Sequence, residues 1–456
     1  MAGYHVENFG CRASQADGDA ISAGLQRQGL PAAEKLAEAT VVVVNTCSVT
    51  AEADRSARAF VRRARRLNPA AKIVVTGCYA QRAPQELTAL PQVDWVVGNS
   101  HKFQIPQLVA NFSAETALRQ PTGGFVPLTA LQSASAQAQL LISNIFAHTE
   151  VAIPAPPVAD GHHTRPNLKV QDGCGNRCSF CVIPQTRGNS RSLSAEQVLE
   201  AVQQFVAAGG QELVLSGINL GQWGRDTAPR HSLAELVQRI VDQTMLPRLR
   251  LSSIEPMDWT PELVALLAAH QPRLARHAHL PLQSGSDTIL RRMHRRYRPW
   301  HYAEKLRQIR QAMPQAAIGA DVMVGFPGES DALFQESYDF IAAQPFTYLH
   351  LFPFSARPHT AAWQMHRLQP VPAKAVGERM SALRALIARK NREFRQQLVG
   401  STLPAVTLQG GTARATPALS DNFLKLEFST HIPANRMVYA RICTLTEEGL
   451  RAELPA

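Results

Sequence analysis

Over the first hundred residues, short apolar runs alternate with helical patterns. Tyr4-His5-Val6-Glu7-Asn8-Phe9 alternates as a strand does and ends at Gly10-Cys11. Val41-Val42-Val43-Val44 is an unbroken apolar run, as expected of a strand buried on both faces, and ends at Asn45-Thr46-Cys47. Lys72-Ile73-Val74-Val75-Thr76-Gly77 leads into Cys78, and Val93-Asp94-Trp95-Val96-Val97 reads as a fourth strand. Helical periodicity fills residues 15–28 and 53–67. Strands alternating with helices predict an α/β domain with a doubly wound parallel sheet over 1–110.

The pattern weakens over 111–164, where Ser133-Ala134-Ser135-Ala136-Gln137-Ala138-Gln139 and Ile153-Pro154-Ala155-Pro156-Pro157 read as linker. Strand-like runs then recur at 168–171, 212–216, 249–254, 277–282, 318–324 and 348–352. Helical stretches at 195–208, 232–243, 261–270 and 303–313 separate them, and 382–395 closes the series. Six strand–helix units predict a partial (β/α) barrel over 165–396, a fold in which the strand-end loops of one face carry the chemistry. Past 397 the character changes to short strands at 405–408, 423–428, 437–442 and 451–454, which predict a small antiparallel β-barrel to residue 456.

A hydrophobic fraction of 45% with 18% charged residues describes a soluble globular chain, and a net charge of +11 suits a polyanionic partner. There is no apolar run of membrane-spanning length and no basic-then-apolar leader pattern, so the expected location is cytoplasmic, with no membrane partner. Seven cysteines in 456 residues fit metal or redox chemistry in a reducing compartment.

Their placement carries the chemistry. Cys174, Cys178 and Cys181 stand four and three positions apart in one loop with Gly173 and Gly175. Three thiolates can hold a cubane 4Fe-4S cluster and leave one iron open for a ligand. The alternatives are a zinc site, with His162 or His163 as fourth ligand, or three buried thiols. Cys11, Cys47 and Cys78 each follow a predicted strand, so they converge at the carboxyl edge of one parallel sheet, where open α/β folds bind ligands. A second three-thiolate cluster, or a redox thiol pair with a bystander, fits that convergence. Cys443, alone in a terminal strand, is expected to be a packing residue. Arg55, Arg58, Arg62 and Arg65 or Arg66 share one helical face, which suits either solvent or a phosphate backbone. The run Arg291-Arg292-Met293-His294-Arg295-Arg296-Tyr297-Arg298, followed by Pro299-Trp300, allows the same two readings. Several strand-end turns combine glycine with polar residues: Ser216-Gly217, Ser252-Ser253-Ile254-Glu255-Pro256, Leu282-Gln283-Ser284-Gly285 and Gly325-Phe326-Pro327-Gly328-Glu329.

Asn8-Phe9-Gly10-Cys11, Asn45-Thr46-Cys47, Thr76-Gly77-Cys78, Gln171-Asp172-Gly173-Cys174 with Cys178 and Cys181, and Gly325–Glu329 together resemble the methylthiotransferase family of radical S-adenosylmethionine (SAM) enzymes, across nearly the whole chain. The resemblance implies two [4Fe-4S] clusters, one on Cys11, Cys47 and Cys78 and one on Cys174, Cys178 and Cys181, and a C-terminal RNA-binding TRAM domain. It implies SAM contacts at Ser216, Gly217, Ser253, Glu255 and Gln283, and an electron donor protein as partner. Thr46–Asp54, Lys169–Cys174 and Ser216–Gly221 look like the branch that methylthiolates C2 of N6-threonylcarbamoyladenosine at tRNA position 37, in the anticodon loop. RNA contacts are then expected at Arg55, Arg58, Arg62, Arg295 and Arg298. The alternatives are isopentenyladenosine at position 37, a ribosomal-protein aspartate, or a non-catalytic iron–sulfur RNA-binding protein. Electron transfer alone would predict four cysteines per cluster. Two departures stand out: Pro358-His359-Thr360 where the family usually has Pro-Gly-Thr, and Asn422-Phe423 where Asn-Tyr is common.

Overall fold

The computed structural model describes residues 3–118, 138–149, 151, 164–412 and 414–455. His162, His163, most of the expected linker and the 153–157 run lie outside the described residues. The chain divides into two compact units. One holds residues up to 155 together with Gly173–Gly175 and Cys181–Asn189; the other holds the remainder.

The first unit is a parallel sheet of β1 (Tyr4–Asn8), β2 (Val41–Thr46), β3 (Lys72–Gly77), β4 (Trp95–Gly98) and β5 (Gln139–Leu141), hydrogen-bonded in that order. β5 and the helix Ile105–Leu118, which runs past residue 110, belong to this unit. The valine run of β2 feeds two apolar layers because successive side chains point to opposite faces. Val41 and Val43 pack with Ile21, Leu25, Ile105 and Val109 of one helix pair. Val42 and Val44 pack with Val61, Ala64 and Leu87 on the opposite face. Helices therefore cover both faces. Tyr4 pairs with Val41 on one side and, in parallel, with Ala32 on the other. The chain thus returns outside β1 before crossing to β2, and this reversal puts a topological switch point between β1 and β2.

In the second unit, β6 (Asn167–Asp172), β8 (Glu212–Gly217) and β9 (Arg248–Leu251) are parallel neighbours, with the two-residue β7 (Arg191–Ser192) antiparallel at the edge. β10 (His277–His279), β11 (Ala317–Val324) and β12 (Tyr348–Pro353) form a second parallel set. Ala275 N donates to Leu249 O (3.0 Å) and Ile254 N to His279 O (3.0 Å), joining the sets into one six-stranded partial barrel. Ser194 and Ser232 open two of the outer helices with reciprocal capping boxes. Along β10–β12 the buried apolar residues Ala278, Ile318, Ala320, Val322 and Val324 alternate with His277, His279, Asp321, Tyr348 and His350. The polar set therefore lines the concave face.

β13 (Thr402–Thr407), β14 (Thr416–Ser420), β15 (Lys425–Phe428), β16 (Met437–Leu445) and β17 (Leu450–Glu453) close a small barrel, antiparallel except for the β15–β17 pair. It plugs the amino end of the larger barrel. Arg250 donates to Ser420 O and Asp421 O (both 3.0 Å), Arg276 pairs with Asp421 (2.5 Å), and Phe423 lies against His277 with ring centroids 4.6 Å apart. The departure at Asn422-Phe423 therefore sits on this joint. Asn422 is fully buried and donates to Gln315 O (3.2 Å). Cys443 is a correction: it lies half-buried at the register shift between Ile442 and Thr444, outside the barrel's core cluster.

Candidate iron–sulfur and cofactor sites

Cys47 and Cys78 follow directly on the ends of β2 and β3, and Cys11 lies three residues past the end of β1, so the three stand on either side of the switch point and one strand further. Two glycines make the approach possible. Gly10 has φ 110°, and a Cβ there would stand 2.8 Å from Cys47 Sγ; Gly77 has φ 96°, and a Cβ there would stand 2.3 Å from Thr46 O. Cys47 and Cys78 are buried and Cys11 is exposed. Burial, and then the neighbouring thiols of Cys78 and Cys11, push the Cys47 thiol up to about 12. Donors already face the sulfurs: Val49 N lies 3.5 Å from Cys47 Sγ, Asn99 Nδ2 3.5 Å from Cys78 Sγ, and Ser14 Oγ 3.8 Å from Cys11 Sγ. Sulfurs converging with N–H groups aimed at them are what a cluster on thiolate ligands needs, so these residues fit an iron–sulfur centre.

The supports of this triad were not read from the sequence. Asn99 follows β4 directly and could have been found by the strand-end rule that picked out the cysteines. It also donates to Thr186 O (2.9 Å). Asp17 accepts from Lys102 (2.6 Å) and Arg187 (2.9 Å), with all three side chains nearly inaccessible. No local pattern announces that trio, since its members are 85 and 170 positions apart.

The second triad lies in the loop after β6. Gly173 has φ 74°, and a Cβ there would stand 1.9 Å from Asn189 O, so this turn requires glycine. Cys174 N donates to Gly188 O (3.0 Å). In the second unit, Ser179 N donates to Met293 O (3.1 Å) and Ser179 O accepts from Ala362 N (2.8 Å). Phe180 packs on the apolar cluster of Ile289, Met293, Phe326 and Ala362. Arg295 Nη1 lies 3.4 Å from Cys178 Sγ. A cavity of about 290 Å³ opens beside Cys178, with Arg177, Glu255, His294 and Arg295 among its walls.

The polar residues expected at SAM stand at the carboxyl ends of β8, β9 and β10. Ser216 is buried and its Oγ donates to Leu168 O (3.4 Å). A Cβ on Gly217 would stand 2.9 Å from Gln171 Oε1. Ser253 is half-buried, and Glu255 Oε2 pairs with Arg295 Nη2 at 2.5 Å. Gln283 has φ 67° and its N donates to Asp321 O (2.7 Å). Glu329, by contrast, closes its own turn: it accepts from Gly325 N (2.8 Å) and pairs with Arg379 (2.9 Å).

Residues 3–98 match the family described as uncharacterized protein family UPF0004, and residues 168–341 match the radical SAM superfamily. The chain is 34% identical over 434 residues to the threonylcarbamoyladenosine tRNA methylthiotransferase MtaB of Bacillus subtilis, covering 94% of this chain and 90% of that protein. MtaB of Aquifex aeolicus is 34% identical over 95% of this chain and 98% of its own length. The chain belongs to the radical SAM methylthiotransferase family. The tRNA-2-methylthio-N(6)-dimethylallyladenosine synthase of Geobacter metallireducens is 31% identical over 90% of this chain and 88% of its own. Among solved structures, the radical SAM methyltransferase TsrM from Kitasatospora setae shares the fold, with a TM-score of 0.54 and 16% identity over 79% of this chain and 77% of that one.

On this methylthiotransferase the expected RNA-contact arginines divide sharply. Arg295 is a correction. Only 7% exposed, it is bound to Glu255, Tyr297 and Cys178 and faces inward. Burial works against its charge, yet Tyr297, Glu255 and Cys178 hold its guanidinium well above its ordinary range. Arg298 is partly withdrawn, 3.4 Å from Asp287 and donating to Arg295 O and Tyr297 O. Arg58 donates to Tyr79 Oη, and Arg55, exposed, pairs with Glu52. Arg65 clamps Asp94 (2.6 Å), Ala71 O and Gln92 O. Arg62, Arg63 and Arg66 are exposed without an ion pair among the described residues. They lie roughly 16–22 Å along the helix from its start beside Cys47, so the exposed stripe does not border the cysteine edge.

Proposed function

We propose that this enzyme adds a methylthio group to C2 of N6-threonylcarbamoyladenosine at position 37 of tRNA, in the cytoplasm, with one-electron reduction by a donor protein. The observation that carries the reading is the pair of three-cysteine sets, one at a sheet switch point and one in a barrel-end loop, in a chain about a third identical to two enzymes named for that reaction. Cys174, Cys178 and Cys181 would hold one [4Fe-4S] cluster, and Cys11, Cys47 and Cys78 a second. When bound, the clusters and SAM supply the radical and sulfur chemistry that side-chain acids and bases cannot.

The chain's own residues do the rest. Gly10 and Gly77 let the strand ends close on Cys47, while Val49 N and Asn99 steady the sulfurs. Glu255, Ser253, Ser216, Gly217 and Gln283 are the proposed SAM contacts, and Arg295 fixes the Glu255 carboxylate and donates to Cys178. Arg62, Arg63, Arg66 and Arg296 are among the exposed cations available to tRNA phosphates. The anticodon loop suits this pocket because its unpaired bases can be splayed out at modest cost.

The test is mass spectrometry of tRNA nucleosides from a deletion strain carrying wild-type, Cys47→Ala or Cys178→Ala protein. Restoration of the methylthiolated threonylcarbamoyl nucleoside by wild type alone is expected. Restoration of the methylthiolated dimethylallyl nucleoside instead would sink the substrate assignment.

A further inference from the structure

On the concave face of the larger barrel, one layer above the plug formed by Phe423, three potential ligand atoms converge. His279 Nε2 lies 3.1 Å and His350 Nδ1 3.2 Å from the same Asp321 Oδ1, and all three ligand atoms fall within 4.8 Å of one another. They come from three adjacent strands in fixed register. His279 pairs with Gly319 and Gly319 with Tyr348, so Asp321 and His350, each two residues on, project to the same face.

We propose that His279, Asp321 and His350 form a divalent-metal site, distinct from both cysteine triads, with its remaining coordination positions open to the barrel interior.

Four observations support it. Donors about 2.1 Å from a metal stand about 3.0 Å apart across an octahedral edge and about 3.4 Å across a tetrahedral one, which brackets both measured separations. His279 Nδ1 is 2.9 Å from Tyr348 Oη, which also lies 2.7 Å from His277 Nε2, so the ring is oriented from behind as metal-bound imidazoles are. Asp321 Oδ1 faces a ring nitrogen of both histidines, so the set offers one oxygen and two nitrogen donors to a single point. His279 is 7% exposed in its side chain and His350 57%, which gives an ion a path from solvent into a fixed inner wall. Two imidazoles and one carboxylate suit manganese, ferrous iron or zinc, and the open positions would take oxygen ligands such as water, hydroxyl or carboxylate.

The test titrates the full-length, cluster-reconstituted protein with Mn²⁺, without tRNA and with the clusters oxidised to their diamagnetic state. Free Mn²⁺ is counted by its EPR signal. A hard ion avoids thiolates, so the cysteines do not compete. The expected result is one saturable Mn²⁺ per chain, with affinity falling at least tenfold in both Asp321→Asn and His350→Ala. His350 is largely exposed, so its alanine variant keeps the fold, checked by circular dichroism. Absence of saturable binding, or wild-type affinity in either variant, overturns the site. Methylthiolation is not read in this experiment, so its outcome is independent of the substrate assignment.

Discussion

The two cysteine triads are built by opposite means. Cys174, Cys178 and Cys181 are held within eight residues of one loop, and the chain itself keeps them close. Cys11, Cys47 and Cys78 are 36 and 31 positions apart and meet only because three parallel strands end beside one another. Their environments follow from this. Two thiols of the dispersed set are buried and met by N–H donors from β-strand ends, whereas all three thiols of the loop set are half-buried. A local motif survives loosening of the sheet beneath it; a dispersed one cannot.

That contrast can be broken most decisively at the cysteines. Cys47→Ala is expected to reduce iron from about eight to about four per chain and abolish methylthiolation while SAM cleavage persists; Cys178→Ala should abolish cleavage itself. Iron analysis and quantified 5′-deoxyadenosine distinguish the two.

The next effect concerns the scaffold under the loop set alone. Glu212, at the start of β8, is fully buried among Arg250 (2.8 Å), Arg165 (3.2 Å) and Arg248 (3.4 Å). Glu212→Gln strands these guanidinia and should destabilise the second unit by about 3–5 kcal/mol in denaturant titrations. Burial alone would raise the Glu212 carboxyl, but the three guanidinia lower it to about 2 from 4.5. Its contribution is therefore complete above about pH 4.5 and lost as pH falls toward 2, an acid limb of the stability profile that the glutamine variant should lack.

Gly77→Ala strikes the dispersed set. With φ 96° and Thr46 O in the way, it should cost roughly 2–3 kcal/mol and lower iron at that triad, while SAM cleavage continues. Arg295→Met acts on the loop set, removing a positive charge and a donor from Cys178 Sγ. The midpoint potential of that cluster should fall by on the order of 50 mV in EPR potentiometry, with the other cluster unmoved. The smallest effect is at His359, exposed at φ 65° where the family usually has glycine, in the turn leading to Ala362 and its hydrogen bond to Ser179. His359→Gly should relieve about 1 kcal/mol of backbone strain, seen as a higher melting temperature.

Much of the fold was legible because it rests on period and spacing. All six barrel strands lie where the apolar runs place them, and the valine run of β2 is buried on both faces. β14 was missed because Pro417 interrupts it, and proline argues against a paired strand; here Pro417 pairs with Glu427 inside the closed barrel. Helix Ile105–Leu118 runs eight residues past the boundary expected at 110. β5 lies inside the expected linker, where the run at 140–146 reads equally as a strand or a short helix because three strand residues carry too few alternations to decide.

The sequence by itself determined the superfamily loop, the order of strand and helix, and the positions of three further thiols at strand ends, because all of these are patterns along the chain. Only the tertiary structure decided which charges face water. Arg62 and Arg295 both sit in arginine-rich runs, yet one is exposed and the other is enclosed by Glu255 and Cys178, 40 and 117 positions away. It also decided that His279, Asp321 and His350 share one wall. Register between strands sets such meetings, and register depends on hydrogen bonds between segments far apart in the chain.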